Sequence, residues 1–322
     1  MQDRQAMMLG AGASWRPAAI ADWGPSRRAV LLTPLLVPLV GRASARASPR
    51  RVVVAGGGIA EIVCAVGARD RIVGADSTSL FPRGLRDLAR IGYLRNLSAE
   101  GVLSLAPDLL LLAAEAGPPA VLDQLRRAGV RIAQAPRIHD PASLIAAVRF
   151  VAEALALRSE GEVVARAVAN DFDALARITS SLPRRTPVVF VLAIGGGAPQ
   201  AAGRETAADA MITLAAGRNV VDAYRGYRPI SAEYLLGAAP DALVTTNHTL
   251  DALGGATGLA SVPALSVLPA VRSGNIVSLD SLYLLGFGPR TAHAARDLAD
   301  ALHPGGRIPP LPPRSWLADD PL

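Results

Sequence analysis

The chain contains no lysine: all 33 of its basic residues are arginines. A Walker loop, a Schiff-base lysine and a lysine general base are therefore excluded. One cysteine, Cys64, permits neither an internal disulfide nor a cysteine-based zinc site. It falls in the apolar stretch 59–66, where a buried structural thiol is expected. Aromatics make up only 4% of a chain that is 51% apolar, so its core must be built mostly of Ala, Leu and Val. The body also lacks an excess of positive charge. Six arginines precede Ser48 against two aspartates, which leaves 27 basic and 25 acidic residues for everything after. A near-neutral body without an aromatic-and-basic stripe does not fit nucleic acid, whose binding needs clustered positive charge. Nor is there a G-x-S-x-G, a Cys–His pair, an H-E-x-x-H or an intact G-x-G-x-x-G to support an enzyme. The glycine turn at 56–58 comes nearest, but Glu61 stands where the third glycine would be, and a carboxylate there would repel a pyrophosphate.

No long hydrophobic run is present either. The apolar stretch from Thr33 to Val40 is too short and too interrupted by proline to span a bilayer. It follows Arg27 and Arg28 and precedes small residues of the A-x-A kind at 43–47. That order is an export signal, twin-arginine or Sec, with the mature protein expected to begin near Ser48 in the periplasm. No cysteine follows the run, so a lipid anchor is not supported.

What is present is a repeat. Ser98-Ala-Glu-Gly-Val-Leu103 leads through Ala106-Pro-Asp108 into the apolar run 109–112; Ser231-Ala-Glu-Tyr-Leu-Leu236 leads through Ala239-Pro-Asp241 into 242–244. The copies align without a gap. A turn–helix–strand unit occurring twice, far apart, implies two lobes of similar build with a ligand between them. Strands are expected at 50–55, 71–75, 109–113 and 130–133, and again at 186–193 and 275–279. Helices alternate with them, at 98–105, 120–128, 207–216 and 291–302, which argues for mainly parallel sheets covered on both faces. From 141 to 182 the apolar spacing becomes helical throughout, predicting one long helix, or two stacked end to end. The predicted organisation is a leader at 1–47, a first lobe at 48–140, an inter-lobe helix at 141–182, a second lobe at 183–303 and a Pro-rich tail at 304–322, disordered or loosely docked. The fold class is α/β: two lobes, each with a central mainly parallel sheet flanked by helices, joined by a helical backbone.

Two such lobes behind an export signal resemble the substrate-binding proteins of ABC importers for cobalamin, siderophores and haem. Within that group the chain is similar to the haem-binding, HmuT-like periplasmic proteins. The matching runs are 55–62, 92–105, 115–125, 202–210 and 285–291, in order over nearly the whole mature chain. The resemblance implies a non-catalytic receptor, expected to be a monomer, that carries haem as cargo to the importer's permease dimer. A cobalamin or ferric-siderophore receptor is the alternative.

The resemblance gives Tyr93, of Gly-Tyr-x-Arg, the role of axial ligand to the haem iron. Phenolate oxygen is a recognised ligand of haem iron, and a neighbouring cation such as Arg95 favours it. On residue type alone Tyr93 reads first as a partly buried core tyrosine beside a surface arginine; the resemblance reverses that order. Arg95, Arg204 and Arg228 are candidates for the propionates, though each also reads as a solvated arginine. His248 stands where relatives often have arginine; it could bond the Tyr93 oxygen, approach the iron, or simply bind water. Some members carry a histidine for a second haem where this chain has Ile194, so one haem is expected. Glu100 and Glu233, at matching positions of the repeat, are the implied permease-docking residues, although a first-turn glutamate also has a local rationale in the helix dipole.

Overall fold

The computed structural model describes residues 48–192 and 200–319; the export segment and Ile194 lie outside the described residues. Four consecutive apolar residues make Val52–Ala55 (β1) a strand buried on both sides, and Leu109–Leu112 (β6) is another. They pair in parallel, Val52 opposite Leu109 and Ala55 opposite Leu112. Ile72–Ala75 (β2), Ala89–Arg90 (β3) and Ile132–Gln134 (β7) complete a parallel sheet in the order β3-β2-β1-β6-β7. Gly92–Tyr93 (β4) and Asn96–Leu97 (β5) form a small separate hairpin. The helices of this lobe are Gly57–Ala65 (α1), Ala99–Ser104 (α2) and Pro119–Arg127 (α3).

Two helices follow, Pro141–Ala154 (α4) and Arg158–Ser180 (α5). They are not stacked end to end. The left-handed Ala156, at φ 59°, turns the chain back, so that Arg149 pairs with Glu162 at 2.8 Å and Gly161 lies against Ala152 with no room for a Cβ. Helix α4 packs on α1, whereas α5 reaches the helices of the second lobe. The link between the lobes is therefore α5, with apolar Val164, Val168, Phe172 and Leu175 on its buried face.

The second lobe is built on Thr186–Leu192 (β8), Gln200–Ala202 (β9), Gly217–Asn219 (β10), Tyr227–Pro229 (β11), Ala242–Thr246 (β12) and Ile276–Leu279 (β13). Strands β8, β10, β12 and β13 run parallel, while β9 and β11 add an antiparallel edge. Helices Ala207–Leu214 (α6) and Ala232–Ala238 (α7) flank the sheet. Four short helices, Asn247–Ala252 (α8), Gly255–Ala260 (α9), Pro263–Ser266 (α10) and Pro269–Arg272 (α11), fill the connection from β12 to β13. Ser281–Leu285 (α12) and Thr291–Leu302 (α13) end the lobe. None of the described helices is long and apolar enough to cross a membrane.

Strand alternation divides the core. Val52, Val54, Leu109 and Leu111 join Val188, Phe190 and the helices α4, α5 and α13 in one continuous core through both lobes. Val53, Leu110 and Leu112 point the other way, under α2 and α3; Val189, Val191 and Leu243 do the same in the second lobe.

The tail is firmly docked, contrary to the expectation from its composition. Proline offers no N–H, so its segment's carbonyls are satisfied by side chains instead. Arg296 donates to the carbonyls of Ile308 and Pro309, Arg314 pairs with the fully buried Asp171 of α5, and Ile308 and Leu311 enter the core.

Candidate functional site

The β4–β5 hairpin carries Tyr93 out of the first lobe. Its side chain is 46% exposed, and its hydroxyl accepts a hydrogen bond from Arg95 Nη1 at 3.2 Å. A hairpin places residues two apart near one another only when the turn between them is tight, and here Leu94 and Arg95 are that turn. The phenol oxygen is thereby oriented, with a lone pair left for a second partner.

Across from the hairpin, on the second lobe, stands Tyr227 of β11. Burial raises its hydroxyl above the ordinary phenol range; the Ala208 N–H and the Thr206 hydroxyl at the start of α6, and the charge of Arg95, pull it back. The field of Arg95 thus reaches a tyrosine of the other lobe, which sequence reasoning had not singled out. The only signal for it was its place in the repeat, after Gly226 as Tyr93 is after Gly92.

The next residue, Arg228, emerges on the opposite face of β11 and lies over the Tyr224 ring at 5.3 Å. Arg204 is exposed, its backbone bridged to Arg225. His248 is exposed in the first turn of α8, at the C-terminal end of β12. The structure therefore brings Tyr93 and Arg95 into contact and leaves Arg204, Arg228 and His248 as exposed groups of the second lobe.

The lobes meet closely where two of the sequence runs singled out above come together. The start of α1 lies so near Gly286 that a Cβ on Gly58 would strike its carbonyl. One turn on, Glu61 receives two hydrogen bonds from Arg290, at 2.6 and 3.0 Å, and the guanidinium stacks on Phe81 at 3.5 Å. Burial raises the Glu61 carboxyl and Arg290 opposes it. The residue that spoils the dinucleotide fingerprint is thus one half of a buried pair between lobes, and removing either partner of such a pair costs about 3–5 kcal/mol. Cavities of about 540 Å³ and 370 Å³ lie near this join and along α5, both lined by the tail; Tyr93 borders neither. Burial pushes the Cys64 thiol up to about 12, as an inert structural cysteine requires.

Glu100 and Glu233 are both exposed. Each follows an N-cap serine that accepts from the backbone one turn on: Ser98 from Gly101 at 3.0 Å, Ser231 from Tyr234 at 3.2 Å.

Two α/β lobes, each with a mainly parallel sheet, joined through a long helix define the substrate-binding proteins of importers, a class of transport receptors and not of enzymes. Residues 52–283 match the periplasmic binding protein family, and the chain belongs to it, in its HmuT-like group. It is 40% identical to the periplasmic heme-binding protein BhuT, solved with two hemes, at TM-score 0.74 over 78% of this chain and 98% of that one. It is 38% identical to the periplasmic heme-binding protein RhuT from Roseiflexus sp. RS-1 in apo form, at TM-score 0.76 over 80% and 99%. The vitamin B12-binding protein of Vibrio cholerae is 24% identical over 246 residues, 75% of this chain and 85% of that protein.

Proposed function

We propose that this protein is a periplasmic receptor that binds one haem between its lobes, with the Tyr93 oxygen on the iron, and delivers it to an ABC importer of the inner membrane. The observation that carries the reading is the hydrogen bond from Arg95 to an exposed Tyr93. A phenol so placed is a ready ligand for ferric iron, and its guanidinium partner stabilises the negative oxygen that such a ligand needs. The relation to BhuT and RhuT supports haem as the cargo, and the family supports the periplasm. Arg204 and Arg228 take the propionates and His248 is the group available on the far side of the porphyrin. Glu100 and Glu233 meet arginines of the permease dimer. The test is a titration of the mature protein with haemin, followed by absorption. One equivalent bound with a ferric tyrosinate spectrum is the expected result.

The second reading, a cobalamin receptor, is favoured by the similarity to the vitamin B12-binding protein. No Soret shift with haemin, together with tight binding of cobalamin, would establish it instead.

A further inference from the structure

A single exposed apolar side chain is ordinary and needs no explanation; two that occupy the same place in both copies of a repeat are a pattern. Among the described residues, five large hydrophobic side chains are exposed, and two of them are Leu103, at 37%, and Leu236, at 49%. These are the same position in the two copies of the repeat. Each lies three residues after its lobe's glutamate, which puts Glu100 with Leu103, and Glu233 with Leu236, on one face of a short helix. The residue before each leucine, Val102 and Leu235, is fully buried, so each helix is fixed to its lobe and its outer face is not free to roll inward. Both helices leave the rim next to the tyrosine-bearing segments and return the chain to the central strands β6 and β12.

We infer that each lobe presents one mixed knob, Glu100 with Leu103 and Glu233 with Leu236, and that the leucine is an anchor of the docking contact. The partner is a two-fold symmetric protein whose halves each offer an arginine or lysine beside an apolar hollow. Duplication within one chain calls for a partner with two equivalent patches. An exposed carboxylate beside an exposed leucine calls for a cation bordered by apolar surface. In such a contact the carboxylate sets approach and salt dependence, while the leucine sets the rate of leaving. The inference rests on the permease reading given above and deepens it.

The test uses the mature protein and its cognate permease–ATPase complex in lipid nanodiscs, with affinity measured at low and high salt. Leu103→Ser and Leu236→Ser are each expected to weaken binding about tenfold, mainly through faster dissociation, with an unchanged salt dependence. Glu100→Gln and Glu233→Gln are expected to flatten the salt dependence. Thermal melts of all four report folding. If the leucine variants bind like wild type while the glutamate variants weaken, the inference fails and the docking reading survives. If only one leucine matters, the duplicated knob is overturned. Should none of the four alter binding, the docking reading falls with it.

Discussion

The two copies of the repeated unit agree after their N-cap serines and disagree before them. Downstream, the correspondence reaches the backbone: Ala106 and Ala239 both adopt the left-handed conformation, at φ 41° and 45°. Asp108 and Asp241 both donate their N–H to the neighbouring strand's entrance, to the carbonyls of Arg51 and Pro187. Upstream, the first copy has a separate two-stranded hairpin with an exposed tyrosine held by an arginine, and the second has an edge strand with its tyrosine half-buried. The features held in common suit something both lobes meet alike. Those that differ suit a ligand with one reactive centre, which needs one oxygen donor and not two.

That asymmetry is most sharply broken at the tyrosines. Tyr93→Phe removes the only exposed phenol oxygen of the pair, and about a hundredfold loss of haemin affinity is expected, with loss of the tyrosinate bands. Tyr227→Phe keeps the ring and loses a half-buried hydroxyl that burial keeps in its neutral form, so a loss of less than about fivefold is expected. Equal losses from both substitutions in a haemin titration would mean that the lobes share the iron, against the reading of one axial donor.

The repeat and the buried apolar strands were legible in the sequence because pattern and structure coincide there, and Thr291–Leu302 was read to the residue. The hairpin was not, because strands of two residues carry no periodicity. Helices α8 to α11 were hidden for a related reason: each is only four to six residues long, and glycines and prolines interrupt the spacing on which a helix is recognised. Composition misled at the tail. Nothing local distinguishes a docked Pro-rich segment from a loose one when its partner is as distant as Asp171 is from Arg314. At the site, the pairing of Tyr93 with Arg95 follows from a spacing of two in a tight turn. The approach of Tyr227 depends on how the lobes close, which no local pattern encodes.

A milder comparison concerns the shared part. Ser98→Ala and Ser231→Ala each leave one first-turn N–H without its acceptor, and each is expected to cost about 1 kcal/mol in denaturant unfolding. The two costs should agree within about 0.5 kcal/mol, since both serines sit on the rim and cap helices of six and seven residues. A large cost for one serine alone would show that its helix bears load which the other does not.

The smallest effect lies at Ala106 and Ala239, where a methyl group is held in the left-handed region after each short helix. An alanine there carries about 1 kcal/mol or more of strain, which glycine lacks. Glycine also loosens the unfolded chain, and that offsets about 0.4–1 kcal/mol of the relief. The balance for Ala106→Gly and Ala239→Gly is a gain of about 0.5 kcal/mol each, seen as a rise of one or two degrees, roughly, in the thermal midpoint. Because the two sites share φ and the same Pro-Asp continuation, the rises should match. A rise in one lobe and a fall in the other would mean that the strain is relieved by different surroundings, and that the two turns are alike in outline only.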